Sequence, residues 1–420
     1  MDTEMTVAAL RRGVLFIALL VLLFMVSVGL NPLNHSALAQ GTGAGDSSRQ
    51  IVYVVVFVIA ALAARIWKLR GAMTLPPSMI LLLIWCWASV FWAIDPDIAM
   101  RRLILSTMMI LSAFLFANSL GYQKTVSALR WFLVALLFAN FVAVALSPEA
   151  VHNVPEADAE ILGAWRGLLA HKNFTGPACA ITALLFIFDT GRLNKLLRIF
   201  MILASVAFLY RTQSVTSLGL LVIAIAIGAA FQFYNPRFKA LFIPAMVVAV
   251  VVLTILFEVY RANLVGTFYD PQAFTGRTII WRALVAYSVD NPIFGAGYGS
   301  FWNIGDYSPI YQYGSGWVRT LYAGHSGYLD LLVTIGIPGT LLAIYALILG
   351  PVIRILGAQG IRPSRGGLLL AIIIFCAGHN ATETSLMDRD AIVNVFLLLS
   401  AALIGVLQRD SARAAARPKP

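Results

Sequence analysis

The sequence has little charge for its length. Only 12% of its 420 residues are Asp, Glu, Lys or Arg, whereas 60% are hydrophobic and the mean hydropathy is +0.85. A soluble fold could not bury so much apolar surface. Runs of about 18–20 apolar residues recur, and strand-like alternation does not. The composition therefore predicts an integral membrane protein of the all-α class.

The sequence also lacks the usual signatures of disulfide, metal and nucleotide sites. Its three cysteines, Cys86, Cys179 and Cys376, fall in apolar runs and show no pair spacing. It has no HExxH, paired-Asp, P-loop, GxSxG or Rossmann glycine pattern. We therefore expect no cofactor and no metal. Transfer from a leaving group that departs unaided, such as pyrophosphate, fits this lack, because arginines can stabilise the charge that builds on it.

The apolar runs predict about twelve spans in a single transmembrane domain covering residues 1–420. The predicted spans are 13–31, 50–67, 77–94, 103–118, 128–146, 174–188, 196–210, 216–233, 240–260, 326–352, 366–381 and 390–407. With the N-terminus in the cytoplasm, the cytoplasmic segments carry 19 of the 30 Lys and Arg residues but 4 of the 19 acidic ones. This is the positive-inside pattern, so the net charge of +11 indicates topology and not nucleic-acid binding.

Four segments depart from the pattern of spans and short connections. Residues 147–173 and 261–325 are predicted outer loops, and GRTIIWRALVAYSVDNP within the second predicts an amphipathic helix on the outer membrane surface. The tail 411–420 is expected to be disordered. Residues 1–39 resemble a cleavable signal peptide, but the apolar run is long for one, so a retained first span is the preferred interpretation.

Three of the spans that run inward begin on the outer face beside basic residues. They begin after Lys172 and Asn173, after Arg211 and after His325, and Asn173 and Ser326 are predicted N-caps. The start of a helix offers unpaired backbone N–H groups and the positive end of a dipole. Several such starts at one interface predict a site for an anion, phosphate above all.

Arg166 and Arg277 lie near these helix starts on the outer side. A guanidinium binds phosphate oxygens in pairs, so both are predicted phosphate ligands, although they could instead anchor the spans at lipid headgroups. His325 is predicted to be a neutral base that accepts a proton from a sugar hydroxyl. The alternative is a structural histidine at the membrane interface.

Four stretches together resemble the O-antigen ligase and Wzy-type polysaccharide polymerase superfamily. They are RGLLAHKNFTG (166–176), GRTIIW (276–281), NPIFGAGYGSFW (291–302) and HSGYLDLLVTIGIPG (325–339). The resemblance extends over most of the chain, from about residue 85 onward. Any one of these stretches alone is a weak signal, whereas their combination is fairly specific.

The resemblance implies a GT-C-like helical bundle in the bacterial inner membrane, with its active site facing the periplasm. The implied activity is metal-independent, inverting glycosyl transfer from an undecaprenyl-pyrophosphate-linked glycan donor to a glycan or lipid-linked acceptor. Membrane lipid is an implied partner, and a chain-length regulator is a further one. The motifs HKNFTG and GAGYGSFW resemble those of exopolysaccharide polymerases. The alternative is an O-antigen ligase, which transfers the finished chain to lipid A-core. A transporter or flippase is the rival from another class, but the spans carry little of the charge that ion coupling needs.

The resemblance also assigns roles to particular residues. It implies that His325 is the base or orienting residue and that Arg166 and Arg277 hold the pyrophosphate. Val215 stands where the family often has a basic residue, and Arg211 is a candidate to replace it. The full candidate site is catalytic His325; pyrophosphate-binding Arg166, Arg277, Arg211 and Lys172; and His171, Asn173, Ser326, Tyr328 and Arg319 as further substrate contacts.

Overall fold

The structure is a computed structural model, and its described part is helical. It describes residues 2–30, 32–33, 47–64, 74–153, 161–191, 193–241, 266, 270, 274 and 276–416. Within these ranges the β-structure amounts to isolated bridges, Val151 with Trp165 and Ile304 with Asp306. The predicted all-α class is confirmed.

The longer helices are named here in chain order. They are α1 (Asp2–Ser27), α2 (Ser47–Ala64), α3 (Pro77–Ala88), α4 (Pro96–Leu146), α5 (Lys172–Ile187), α6 (Lys195–Arg211), α7 (Val215–Phe233), α8 (Arg277–Asp290), α9 (Gly327–Ile344), α10 (Gly350–Gly357), α11 (Pro363–His379) and α12 (Ile392–Ala415). Short 3₁₀ turns cover Ser89–Trp92, Pro148–Ala150, Pro236–Leu241 and Gly316–Thr320, and a single helical turn covers Ile310–Tyr313.

Several of these helices are long and apolar enough to cross a membrane. In the described part of the chain, five segments meet both conditions: Val7–Ser27, Pro96–Leu146, Val215–Phe233, Gly327–Gly357 and Ile392–Ala415. Shorter apolar helices cover Ser48–Ala64, Pro77–Trp92, Lys172–Ile187 and Pro363–His379. The chain is thus a membrane protein, and the count of twelve spans stays a prediction. The predicted ninth span lies outside the described residues from 242 onward.

Two predicted spans fall within α4, which folds back on itself. Gly121 has φ 73° and interrupts the helix between the predicted spans 103–118 and 128–146. Asn118, before this turn, accepts a hydrogen bond from Arg409 near the end of α12. Asn140, after the turn, accepts one from the backbone N–H of Leu168, ahead of α5. The two arms of α4 therefore run in opposite directions, as the two separate spans predict.

The bundle core is built by α12 against α4 and α11, and by α11 against α7. A methyl group on Gly367 of α11 would lie 2.6 Å from the carbonyl oxygen of Gly228 on α7. Small residues at such a crossing let two membrane helices approach closely, which gives them the van der Waals contact that replaces the hydrophobic effect in lipid.

The C-terminal end of α12 corrects one prediction. The helix continues to Ala415, into the tail 411–420 that was expected to be disordered. The reason is that Ala and Arg, which dominate this tail, have high helix propensity and extend a helix that the core has already nucleated.

A second, smaller core lies beside the bundle and covers the apolar stripe of α8. It contains Ile280, Ala283, Leu284 and Tyr287 from the helix, together with Phe301 and other residues of the following segment. The predicted amphipathic helix is present at Arg277–Asp290. Its apolar stripe, however, packs inside the protein, so the expected contact of that stripe with the outer membrane surface is corrected.

The glycine-rich segment 294–302 is tightly packed against neighbouring elements. A methyl group on Gly297 would lie 2.5 Å from Cα of Ala93. The hydroxyl of Tyr298 donates to the carbonyl of Met387 at 2.8 Å and is itself buried. The glycines of this segment therefore permit a close approach of backbone to backbone rather than mobility.

Candidate functional site

The candidate site is centred on Glu383, in the loop 380–391 between α11 and α12. Oε1 of Glu383 accepts hydrogen bonds from Nη2 of Arg277 at 2.5 Å and from Nδ2 of Asn173 at 2.6 Å. Oε2 of the same carboxylate lies 3.4 Å from Nδ1 of His325. One carboxylate thus joins three of the residues that the sequence predicted to share a site.

The helix starts that the sequence grouped meet around this carboxylate. Asn173 is the second residue of α5, Arg277 is the first residue of α8, and His325 stands two residues before α9. The start of α7 adjoins the same loop, because the hydroxyls of Thr216 and Thr382 lie 3.4 Å apart. The positive ends of several helix dipoles therefore face one region, which favours an anionic ligand there.

The caps of these helices confirm one prediction and correct another. Ser326 is the N-cap of α9, and its hydroxyl accepts from the N–H of Leu329 at 3.5 Å. Asn173 does not cap α5. The cap is His171, whose Nδ1 accepts from the N–H of Asn173 at 3.2 Å. Asn173 has its side chain on Glu383 instead, so its amide serves the site and not the helix end.

The geometry of His325 fits a base that is held in one orientation. Its backbone has φ 49°. Two residues further on, Gly327 at the start of α9 donates its N–H to the carbonyls of Asn380 and Glu383 at 2.9 and 3.1 Å. A carboxylate can only accept, so its partner Nδ1 carries the proton and Nε2 is left as an acceptor. The side chain of His325 is 35% exposed, so the ring is open to a ligand.

The electrostatics keep Glu383 ionised and His171 neutral. Burial alone would raise the pKa of Glu383, but the hydrogen bond with His325 and the charge of Arg277 outweigh it and hold this pKa below its usual value. Burial lowers the pKa of His171 to about 4, against an opposing effect of Glu383. Near neutral pH the Glu383 carboxylate is therefore matched by Arg277, and Lys172 adds a positive charge next to His171.

Arg166 lies behind the site. Its side chain is fully buried, with Nε donating to the carbonyl of Glu149 at 2.6 Å and Nη1 to that of Ala170 at 3.0 Å. Nη2 donates to the carbonyl of Leu33 at 3.2 Å. The guanidinium thus binds backbone carbonyls and fixes the loop that leads into His171 and α5. This geometry favours a structural role for Arg166 over the predicted contact with pyrophosphate.

Arg211 and Lys172 stand at the end of α6 and the start of α5, respectively. Arg211 is exposed, and its guanidinium carbon lies 4.8 Å from the ring centre of Trp165. It borders a cavity of about 400 Å³ that also includes Gln213 and Val215. Lys172 is half-buried as the first residue of α5. Both remain close enough to the helix starts to meet an extended anionic substrate.

Tyr328 and Arg319 are engaged elsewhere. The hydroxyl of Tyr328 donates to the carbonyl of Ala377 at 2.7 Å, which ties α9 to α11. Arg319 is exposed, and its Nε donates to the carbonyl of Gly314 at 2.9 Å within the small outer core. These contacts give both side chains a structural role.

Glu383 and Asp330 were missed in the sequence. Buried Asp330 accepts from Nε1 of Trp302 at 2.8 Å, from the N–H of Gly324 at 3.1 Å and from the hydroxyl of Thr384. It thereby connects the glycine-rich segment, the residue before His325 and the residue after Glu383. The signal for Glu383 was the dense polar run HNATETSLMDRD (379–390) between two apolar helices.

Among the described residues, no group of three or more His, Cys, Asp or Glu side chains is arranged to hold a metal ion. Arg277, Lys172 and the helix starts are better suited to an anionic substrate than to a cation.

Residues 178–344 match the family model Wzy_C, described as O-antigen ligase. The resemblance to the O-antigen ligase and Wzy-type superfamily is confirmed. The matched segment contains Arg277 and His325, whereas Glu383 and the loop around Arg166 lie outside it. No curated protein matches the chain. The match supports a membrane enzyme of polysaccharide synthesis.

Proposed function

We propose that the protein is a polysaccharide polymerase that transfers glycan from an undecaprenyl-pyrophosphate carrier to the hydroxyl of an incoming lipid-linked unit. The observation that carries the proposal is the Glu383 carboxylate, which holds the His325 imidazole on one side and the Arg277 guanidinium on the other. The arrangement places an oriented base near the positively charged guanidinium of Arg277. Inverting transfer to a hydroxyl requires both a base and a cation that stabilises the leaving group.

In the proposed step, the acceptor hydroxyl donates a hydrogen bond to Nε2 of His325. Its oxygen attacks the anomeric carbon while the bond from that carbon to the pyrophosphate oxygen breaks, and the configuration inverts. The hydroxyl proton moves to Nε2, and the bonding electrons leave with the pyrophosphate. Glu383 accepts from Nδ1–H throughout and stabilises the imidazolium that forms, so it acts as a positioning residue.

Negative charge builds on the leaving pyrophosphate, and in this proposal the basic residues of the site stabilise it. Arg277 uses one nitrogen on Glu383, and its fork has further N–H donors for phosphate oxygens. Lys172 and the dipoles of α5 and α9 add positive potential. In this proposal Arg211, which lines the same cavity as Val215, binds the second phosphate, because Val215 carries no charge.

An O-antigen ligase is the second candidate, because the matched family model carries that description. The two activities share the donor and differ in the acceptor. A strain that lacks a ligase accumulates polymer on its lipid carrier, whereas a strain that lacks a polymerase makes no polymer. The positive-inside pattern supports placing the site on the periplasmic face of the bacterial inner membrane.

The test uses the full-length protein and the undecaprenyl-pyrophosphate-linked repeat unit of its own strain. Purified wild-type protein is expected to convert this single substrate into a ladder of longer glycans, and His325→Ala is expected to abolish the ladder. Gln312→Ala, an exposed change on the same outer segment, is the control for expression and folding. Elongation by the His325→Ala protein would refute the assignment. Transfer of the glycan to added lipid A-core, without a ladder, would establish the ligase.

A further inference from the structure

A second basic cavity lies at the other end of the bundle. It has a volume of about 180 Å³, and its polar lining consists of Arg354, Arg409, Gln408 and Thr74. The apolar lining is Leu75, Pro76, Phe114, Ala401, Ala402 and Gly405. Arg409 lies 17 residues along α12 from its start at Ile392, next to the Glu383 loop. At 1.5 Å per residue the two regions are about 25 Å apart, so this cavity is distinct from the candidate active site.

The two guanidiniums of this cavity differ in their contacts. Nη1 of Arg409 donates to the hydroxyl of Thr74 at 2.6 Å, and Nη2 donates to the side-chain oxygen of Asn118. Arg354 uses Nε on the carbonyl of Gly350, one turn earlier in its own helix segment, at 3.3 Å. Its two terminal nitrogens are therefore in a position to donate to a ligand, with Arg409 as the second cation.

The cavity carries two positive charges, and among its lining residues there is no Asp or Glu to neutralise them. Both arginines are partly buried, where charges are screened less than in bulk water. A bound anion would offset these positive charges and accept several charge-assisted hydrogen bonds. Phosphate oxygens suit the planar fork of arginine best.

We propose that this cavity binds a phosphate group, supplied by the headgroup of an anionic phospholipid or by inorganic phosphate. Its apolar lining, at one end of the membrane-spanning helices, offers a surface on which the glycerol and upper acyl chain of a lipid can lie. By the positive-inside pattern this end faces the cytoplasmic leaflet, whose anionic lipids attract basic groups. The bound phosphate would connect α4, α10, α12 and the segment before α3.

The test is native mass spectrometry of the full-length, delipidated protein in detergent, titrated with phosphatidylglycerol. Arg354→Gln is the principal variant, because Arg354 makes its own hydrogen bond within its helix segment, whereas Arg409 also ties Thr74 and Asn118 together. Loss of charge-assisted bonds is expected to weaken phosphatidylglycerol binding by about tenfold or more. Arg362→Gln removes one exposed positive charge at the same end of the molecule and is expected to leave binding within about twofold of wild type.

A second arm separates the two sources of phosphate. Competition by millimolar inorganic phosphate, dependent on Arg354, would identify a site for the free anion, and lack of competition with retained lipid binding would identify a headgroup site. The proposal is overturned if wild-type protein binds neither probe, or if both Arg354→Gln and Arg409→Gln bind phosphatidylglycerol as wild type does. Glycan transfer is measured separately, so failure of this proposal leaves the proposed activity untouched.

Discussion

Each end of the helix bundle contains basic side chains. The two ends differ in whether a carboxylate lies next to these side chains. At the Glu383 end, Arg277 is matched by a carboxylate that also orients an imidazole. At the other end, Arg354 and Arg409 line a cavity that has no Asp or Glu among its described lining residues. A cation paired with a carboxylate that also orients a base suits chemistry, whereas two cations in the lining of a small cavity suit the binding of an anion.

The largest expected effect comes from removing the imidazole. His325→Ala should lower the rate of glycan elongation by about 10²–10⁴-fold, the usual contribution of a general base. Elongation is measured as the rate of ladder formation by purified protein. A loss below about threefold would show that the hydroxyl is activated by another group.

The buried guanidinium of Arg166 should matter for stability and not for donor binding. Arg166→Met leaves buried carbonyls of Glu149, Ala170 and Leu33 without their donor, which should cost about 3 kcal/mol of stability. Arg277→Gln should instead raise the KM for the lipid-linked donor. Its amide can still donate to Glu383, so the unfolding temperature should fall less than in Arg166→Met. Thermal unfolding in detergent and steady-state kinetics on both variants separate the two roles. The reverse assignment, with a raised donor KM and unchanged stability in Arg166→Met, would restore the sequence-based prediction for this residue.

Glu383→Gln keeps the size of the side chain and removes its charge. Because the imidazolium loses its stabilising partner, kcat for elongation should fall by about 30-fold while the acceptor KM changes little. Glu383→Asp, which restores the charge, should recover part of the rate. If Glu383 only stabilised the fold, the substitution would lower the amount of active enzyme but not kcat per folded molecule. The Glu383→Asp protein would then recover no more of the rate than the Glu383→Gln protein.

The last expected effect concerns the pH dependence of stability and not the rate of transfer. His171 caps α5 as a neutral imidazole with a pKa of about 4, against an ordinary value of 6.5. The unfolded chain binds a proton between these two values and the folded protein does not, so stability is present above pH 6.5 and is lost as pH falls towards 4. The loss should be about 2–3 kcal/mol over that window, since one pKa unit corresponds to about 1.4 kcal/mol.

The matched control for this pH effect is His171→Asn, which keeps a cap that does not titrate. Subtracting its thermal unfolding curve from that of wild type isolates the contribution of His171 from the other acid-sensitive groups. A difference that does not vary between pH 6.5 and 4.5 would mean that His171 is not the group that titrates.

The sequence revealed the elements of this fold better than their contacts. Apolar runs predicted the helices, and hydroxyl capping predicted the role of Ser326, because both depend on neighbours within a few residues. Periodicity also predicted α8, but it could not show that the stripe would be covered by Phe301 and the rest of the small core instead of by lipid.

Long-range contacts explain what the sequence did not show in the site. Glu383 lies 106 residues from Arg277 and 210 from Asn173, so its role follows from the packing of the bundle and not from any local pattern. The residues next to Arg166 in the sequence are typical of an outer loop. They do not indicate that its side chain is buried. His325 and Arg277 could be predicted as candidates because they stand at helix starts, which local sequence does reveal.

The most direct test of the central claim is a double-mutant cycle between His325 and Glu383, measured on the rate of elongation from radiolabelled lipid-linked donor. If Glu383 acts through the imidazole, adding Glu383→Gln to the His325→Ala protein should lower the residual rate by less than about threefold, because the group it positions is already gone. A further loss of about 30-fold, equal to that in the wild-type background, would show that the two side chains act independently and would contradict the account.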